Sequence, residues 1–416
     1  MTTRRVVLAY SGGLDTSVAV RWLQDQLHYE VVTLTADLGG EGRDADTVTG
    51  RALRAGAVAA HVVDARRVFV EHFVFPTLSA GALYEGVYPL ATALARPLIA
   101  KLLVDVAREE GAVAVAHGCT GKGNDQVRFD VATAALAPEL EVVAPVRDWD
   151  MGRPQEIAYA AAHGIDVAGT AESAYSVDAN LWGRSVECGP LEDPWAEPPP
   201  DVYQWTADPA TAPETGDELT VAFEQGVPVA VDGRRHAAED LVLHLNEVAG
   251  RNGVGRIDHV ENRLVGIKSR EVYEAPAATV LHAAHAALET LMLPRDVAHL
   301  KRQLGNEWAR LVYDGLWFGA LRTALAAFVS STQAHVSGEV RLRCRRGRVS
   351  VTGRRAPRSL YSASLATYDR TGDTFDHAAA RGFIELFGLS LRTAASAQGA
   401  LEDLQPLSLP RQVRRA

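Results

Sequence analysis

Nine residues near the start of the chain, Ala9-Tyr10-Ser11-Gly12-Gly13-Leu14-Asp15-Thr16-Ser17, bring glycine, hydroxyl and carboxylate groups together at a spacing suited to phosphate. Gly12 and Gly13 lack a Cβ, so the backbone can take positive φ and come close to a ligand. Ser11, Thr16 and Ser17 add hydroxyl donors. The apolar run Val6–Ala9 ahead of them predicts a short buried strand. Behind them, Val18, Ala19, Trp22 and Leu23 recur at helical spacing, which predicts a helix from about Asp15. The first N–H groups of that helix lack partners, and its dipole places partial positive charge there, so an anion fits. Asp15 is acidic in such a loop. Magnesium bridging phosphate oxygens would offset that charge, and capping of the helix start is its alternative role.

A second polar loop, His117-Gly118-Cys119-Thr120-Gly121-Lys122-Gly123-Asn124-Asp125, follows the apolar stretch Ala112–Ala116. Neither loop fits the Walker pattern of glycine, four residues, then Gly-Lys-Ser/Thr. No lysine follows Gly13, and Gly121-Lys122 has Ala116 in place of the first glycine and Gly123 in place of the hydroxyl. The first loop instead resembles the Ser-Gly-Gly-x-Asp-Ser/Thr loop of the ATP pyrophosphatases, which split ATP between the α and β phosphates. Cys119 has no partner base marked in the sequence and reads as a packing residue; His117 reads as a local hydrogen bonder.

The elements that must hold these loops alternate. Strands are expected at Glu30–Ala36, Val58–Val63, Ala112–Ala116 and Leu140–Ala144. Helices are expected at 43–56, 67–80, 92–111, from about Gln126, and at 155–163. Such alternation implies an α/β fold with a parallel sheet and right-handed crossovers, whose ligands sit at the carboxyl ends of the strands. From about Thr170 the composition changes. Glu192–Pro200 is too proline-rich for regular structure. Hairpins are expected around Gln225-Gly226 and Arg346-Gly347, a helix at 237–250, and two or three helices over 276–325. This half reads as a separate α+β domain. A tail from Asp373 carries Phe383, Ile384, Leu386, Phe387, Leu389 and Leu391, an apolar set expected to dock on another subunit or on its own domain.

Composition sets further bounds. At 416 residues the chain is long enough for two or three domains, and 47% hydrophobic with 23% charged residues is ordinary for a globular protein. A net charge of −10 argues against a nucleic-acid surface. Three widely spaced cysteines, Cys119, Cys188 and Cys344, form neither a disulfide framework nor a metal cluster and fit a reducing cytoplasm. No signal-peptide pattern opens the chain and no apolar run reaches membrane-spanning length.

The chain resembles the argininosuccinate synthase family along nearly its whole length. The matching blocks are Ala9–Ser17, Thr35–Gly39, Ala95-Arg96-Pro97-Leu98-Ile99-Ala100-Lys101, His117–Phe129, Tyr175-Ser176 with Asp178–Leu181, Leu191–Pro199, Leu245–Gly250, Gly253–Asn262 and Lys268-Ser269-Arg270. The resemblance implies an adenine nucleotide alpha hydrolase-like (PP-loop) domain at 1–170. A synthetase domain at 171–372 and an oligomerisation tail at 373–416 would follow. It implies ATP with Mg2+, and the joining of citrulline to aspartate through a citrullyl-adenylate, releasing AMP and pyrophosphate. It also implies a homotetramer. Carried over by position, ATP would lie on Ala9, Tyr10, Ser11, Gly12, Gly13, Leu14, Asp15, Thr16 and Ser17, with Ala36 and Gly118 beside it. Ser11 and Asp15 would act at the reacting phosphates. Thr120, Asn124 and Asp125 would hold aspartate, Asp125 through its ammonium group. Tyr88, Asn124, Arg128, Ser176, Ser185, Glu261 and Tyr273 would hold citrulline. No resident metal ligands are implied.

Departures from the family pattern cluster at the citrulline end. Ala91-Thr92-Ala93 stands for Gly-Thr-Ser, Gly183-Arg184-Ser185-Val186 for His-Ile-Ser-Tyr, and Arg270-Glu271-Val272-Tyr273 for Arg-Gly-Val-Tyr. Ala93 thus takes the place of a serine that meets citrulline. Thr92 is not expected to replace it, because adjacent helical residues point about 100° apart. Three readings follow: argininosuccinate synthesis; the condensation of a different ureido or amide acceptor with aspartate in specialised metabolism; or a nucleotide-binding regulatory protein without catalysis, against which the intact Ser11–Ser17 and Gly118–Asp125 loops argue.

Overall fold

The computed structural model describes residues 4–40, 44–165 and 174–399. The expected domain boundary at 170/171 and the final residues of the tail, 400–416, lie outside them. Contacts divide the chain into two compact units, Met1–Leu360 and Tyr361–Ala416.

The first unit begins with β1 (Arg4–Ala9), α1 (Leu14–Leu27), β2 (Tyr29–Asp37), α2 (Ala45–Arg54) and β3 (Ala59–Asp64). Helical turns then run from Arg66 to Ala80, with a π-helical turn at Val70–Val74. The long helix Ala91–Glu109 leads to β4 (Ala114–Ala116), the helix Asp125–Leu136, β5 (Glu141–Val143) and the helix Arg153–Ala162. The five strands form one parallel sheet in the order β3-β2-β1-β4-β5. Both faces of the sheet are covered, which explains why β1 reads as an unbroken apolar run. Val6 and Leu8 pack with Val18 and Leu23 of α1 on one face. Val7 packs with Leu103 and Phe129 on the other. Strand order reverses beside β1, so the loops after β1 and β4 open onto a common crevice.

The remainder of this unit holds two antiparallel sheets. One has four strands, β6 (Ser176–Asn180), β7 (Gly183–Glu187), β11 (Arg256–Asn262) and β12 (Lys268–Glu274), in the order β11-β12-β7-β6. The other has five, β8 (Asp217–Glu224), β9 (Val227–Val231), β10 (Arg234–Arg235), β13 (Gly338–Arg345) and β14 (Arg348–Arg355), in the order β10-β9-β8-β13-β14. The turns at Gln225-Gly226 and Arg346-Gly347 fall where the glycines predict them, with positive φ at all four residues. Helices Ala238–Arg251, Pro276–Met292, Arg295–Tyr313 and Ala320–Gln333 pack on these sheets. The hairpins β6–β7 and β11–β12 are not legible as strands in the sequence, because side chains such as Ser176, Asp178, Ser185 and Glu261 interrupt the apolar alternation that marks a half-buried strand.

The second unit contains a short helical turn, Ala363–Ala366, and the helices His377–Phe387 and Leu389–Gln398. Asp376 caps the first of these two, its Oδ1 accepting from the N–H groups of Ala378 and Ala379 at 2.9 and 3.1 Å. Phe383 stacks on Phe387 at 5.3 Å, and both remain exposed, as do Ile384, Leu386, Leu389 and Leu391.

Candidate active site

A cavity of about 500 Å³ opens at the carboxyl ends of β1, β2 and β4 and is closed on its far side by β6, β7, β11 and β12. That is within the usual range for a small-molecule site.

The first wall is the glycine loop. Ala9, Tyr10, Ser11 and Thr16 line the cavity. Gly12 has φ +76°, the conformation its lack of Cβ permits, and carries the chain from β1 into α1. Ser11 Oγ lies 3.1 Å from Thr16 Oγ1 and accepts the N–H of Gly13 at 3.3 Å, so the loop is tied to itself. Thr35 donates its hydroxyl to the carbonyl of Tyr10 at 2.9 Å and fixes the loop to β2, next to Ala36 on the wall. Gly13 and Asp15 are half-buried and do not line the cavity, while Leu14 and Ser17 are buried. Leu14 packs into the core, and the Ser17 hydroxyl lies buried 2.9 Å from that of Tyr10, so Ser17 is committed to the loop's own framework. Asp15 faces Glu156, which is buried on the helix Arg153–Ala162. Burial, and then the Asp15 charge, push the Glu156 carboxyl up to about 7.

The second wall is the loop from His117 to Asp125. Gly118, Thr120, Asn124 and Asp125 all line the cavity. The His117 ring accepts the Cys119 N–H at Nδ1, 3.3 Å away, which leaves Nε2 to donate to Asp130 at 2.8 Å. Both nitrogens are therefore used locally. Burial drives the Cys119 thiol far above its usual range, so it carries no reactive thiolate. Asp125 is clasped by two guanidinium groups: its Oδ2 accepts from Arg96 at 2.8 Å and its Oδ1 from Arg128 at 2.9 Å. Burial alone would raise its carboxyl, yet Arg96 and Arg128 outweigh that and hold it down at about 2. Arg96 also reaches Asp178 at 2.5 Å, linking the helix Ala91–Glu109 to β6.

The third wall carries the expected acceptor residues, and all seven line the same cavity. Sheet register brings several together, since Tyr273 on β12 lies directly across from Ser185 on β7, and Asp178 on β6 across from Ser185. Tyr88 stacks on Tyr273 with ring centroids 4.2 Å apart. Tyr273 donates its hydroxyl to Glu261 Oε2 at 2.5 Å. Arg128 is buried, with Nε donating to the carbonyl of Tyr313 at 2.9 Å and its guanidinium 4.8 Å from the Tyr313 ring. Ser176 stands at the exposed start of β6.

Among the wall residues to which sequence reasoning gave no role are Arg96, Tyr313, Arg263 and Glu271. Arg96 lies inside one of the family-like blocks, and a charge on the apolar side of a helix is the signal that could have marked it. Tyr313 ends a long amphipathic helix and reads as core. Arg263 donates to Glu271 at 3.0 Å and also pairs with Glu187. Burial, then Glu261 and Glu187, push the Glu271 carboxyl up to about 8. One expectation is corrected. Ala93 is fully buried among apolar side chains, while Thr92 lines the cavity with its hydroxyl 3.4 Å from Ser185 Oγ. The 100° step between neighbours on the helix turns position 92, rather than 93, toward the site.

The fold and the site define a nucleotide-binding protein of the HUP class with a second, mixed domain. A model described as the arginosuccinate synthase N-terminal HUP domain matches residues 5–166, and one described as the arginosuccinate synthase C-terminal domain matches 175–394. The chain belongs to the argininosuccinate synthase family. It is 56% identical over 399 residues to the argininosuccinate synthase of Oceanobacillus iheyensis, covering 96% of this chain and 95% of the relative. The corresponding protein of Symbiobacterium thermophilum is 54% identical over 398 residues, covering 96% and 99%. That of Brevibacillus brevis is 53% identical over 404 residues, covering 97% and 96%.

Proposed function

We propose that this protein is a carbon–nitrogen ligase of arginine biosynthesis that condenses L-citrulline with L-aspartate at the expense of ATP. The observation that carries this reading is a single cavity shared by the glycine loop, the Thr120–Asp125 loop and the acceptor residues, in a chain alike to its relatives from end to end. The ureido oxygen of citrulline attacks the α-phosphorus, forming a citrullyl-adenylate and breaking the α–β bond to release pyrophosphate. The aspartate amine then attacks the ureido carbon, and AMP leaves. Neither step needs a side-chain nucleophile; positioning and charge neutralisation on a loose transition state supply the catalysis.

The roles follow the chemistry of each wall. The loop Ala9–Ser17 cradles the phosphates, with Ala9, Tyr10, Ser11 and Thr16 on the wall and Leu14 and Ser17 as its framework. Ser11, and Asp15 where it turns toward bound ATP, act at the reacting centre, and Ala36 and Gly118 admit the nucleoside by being small. Thr120, Asn124 and Asp125 take aspartate. Tyr88, Asn124, Arg128, Ser176, Ser185, Glu261 and Tyr273 take citrulline. Asp15, acidic in the first turn of α1, offers one carboxylate that would suit magnesium brought by ATP. No group of three or more His, Cys, Asp or Glu side chains among the described residues could hold a metal. It would therefore arrive on ATP, held by phosphate and Asp15, and lower the negative charge at the cradle.

We assign residues 1–170 to ATP binding, 171–372 to the synthetase domain and 373–416 to assembly of a cytoplasmic homotetramer. The exposed apolar row of the tail supports the last of these. No described helix is long and apolar enough to cross a membrane. The test incubates the protein with ATP, aspartate and citrulline and looks for argininosuccinate by mass. Product formed from another ureido compound and not from citrulline would transfer the reading to that acceptor.

A further inference from the structure

We propose that Tyr313 is a positioning residue for the acceptor: its phenol sets the orientation of both Glu261 and Asn124. The inference rests on the reading of the cavity as the site where an acceptor amino acid meets aspartate. Tyr313 is the last residue of the helix Arg295–Tyr313; it is almost wholly buried, yet borders the cavity. Its hydroxyl donates to Glu261 Oε1 and accepts from Asn124 Nδ2, the latter at 2.8 Å. One oxygen thereby joins a residue of the second wall to one of the third.

Each partner is pinned at its other end as well. Asn124 Oδ1 accepts the Leu264 N–H at 2.9 Å, so the amide cannot turn over without stranding both bonds. Glu261 Oε2 accepts from Tyr273, so two phenols fix the carboxylate plane. Among the described residues its hydrogen-bond partners are these two neutral groups, with no arginine or lysine in ion-pair reach. A buried carboxylate held by neutral donors favours a cationic ligand group, such as the ammonium of an amino acid. The ring packs independently of the hydroxyl, stacking on Tyr84 with centroids 3.6 Å apart. The hydroxyl can therefore be removed while the packing stays.

Tyr313→Phe in the full-length protein does this. A hydrogen bond to a charged group is worth enough that its loss is expected to raise the citrulline KM by about tenfold to a hundredfold. The ATP KM should stay within about twofold and kcat within about threefold, since neither phosphate wall nor reacting atoms lose a contact. The aspartate KM should move less than that of citrulline. In a Glu261→Gln background the same change should raise the citrulline KM by a smaller factor than in wild type, because the charged acceptor is gone and the neutral bond to Asn124 remains to be lost. A citrulline KM within twofold of wild type overturns the proposal. So does a uniform rise of all three KM values with a lowered melting midpoint, which marks a general structural loss. If wild type uses a different ureido compound and not citrulline, the acceptor reading fails, and the Tyr313 comparison is read with that compound.

Discussion

Thr92 and Ala93 are neighbours with opposite surroundings, one on the cavity wall and one in the core. Thr92→Val keeps the shape and removes the hydroxyl that meets Ser185, so a two- to tenfold rise in citrulline KM is expected, the worth of about one neutral hydrogen bond. Ala93→Ser should leave that KM within about twofold and lower stability by about 1 kcal/mol, as a hydroxyl enters an apolar site. Steady-state kinetics and urea melts of both variants check this; restored citrulline affinity in Ala93→Ser would place position 93 on the wall after all. Glu271 sets a pH dependence. Its folded carboxyl stands at about 8 against an ordinary 4.5, raised by burial and by Glu261 and Glu187. A raised value means the stability from this group is full below pH 4.5 and is lost as pH climbs through about 8. Glu271→Gln lacks that titration, so its stability relative to wild type should improve between pH 5 and pH 9 in denaturant melts. A difference that does not change with pH would count against it.

At the scale of elements, the residues proposed to hold the acceptor depend on the register of the β-strands and on the turn that joins two of them. The register of β12 on β7 sets Tyr273 opposite Ser185, and the β11–β12 turn brings the Leu264 N–H to Asn124. The end of the helix Arg295–Tyr313 matters equally. Gly315, with φ +79°, lets the chain turn so closely under the helix Asp125–Leu136 that a Cβ there would lie 2.8 Å from Arg128 Cα. Gly315→Ala is expected to destabilise the fold by at least about 1–2 kcal/mol from the left-handed backbone alone. Arg128 must also shift, so citrulline KM should rise while ATP KM holds. Equal changes in both constants would show that the disturbance is not confined to the acceptor wall.

For the whole molecule, nucleotide chemistry gives a sharp outcome. The glycine loop lacks a Walker lysine, and spent nucleotide should appear as AMP with pyrophosphate in step with product; ADP on the chromatogram would contradict the loop's class. The assembly prediction concerns the tail. Phe387 and Leu391 are 74% and 76% exposed in the single chain, and large exposed apolar sets mark interaction surfaces. Truncation after Thr371 should lower the mass seen by light scattering from that of a tetramer. A full-length monomer, or a truncated protein of unchanged assembly, would refute the tail's role.

The sequence by itself determined the parallel-sheet domain and two of the three walls. β1, the glycine turn and α1 are contiguous, and burial on both faces of the sheet leaves an apolar run that needs no tertiary information to recognise. The loop after β4 is equally local. The proposed acceptor wall was readable only as a resemblance, because Tyr88, Ser176, Ser185, Glu261 and Tyr273 come from distant segments, and the polar side chains of the last four hide their strands. Tertiary structure decided what sequence spacing cannot carry: that Thr92 faces the cavity and Ala93 does not, that Arg96 and Arg128 both clasp Asp125, and that Tyr313 meets Asn124 across a sequence separation of 189. The physical reason is range. Helical and strand periodicity report the environment a few residues away, whereas hydrogen bonds and charges in a cavity are settled by which surfaces the packed elements bring face to face.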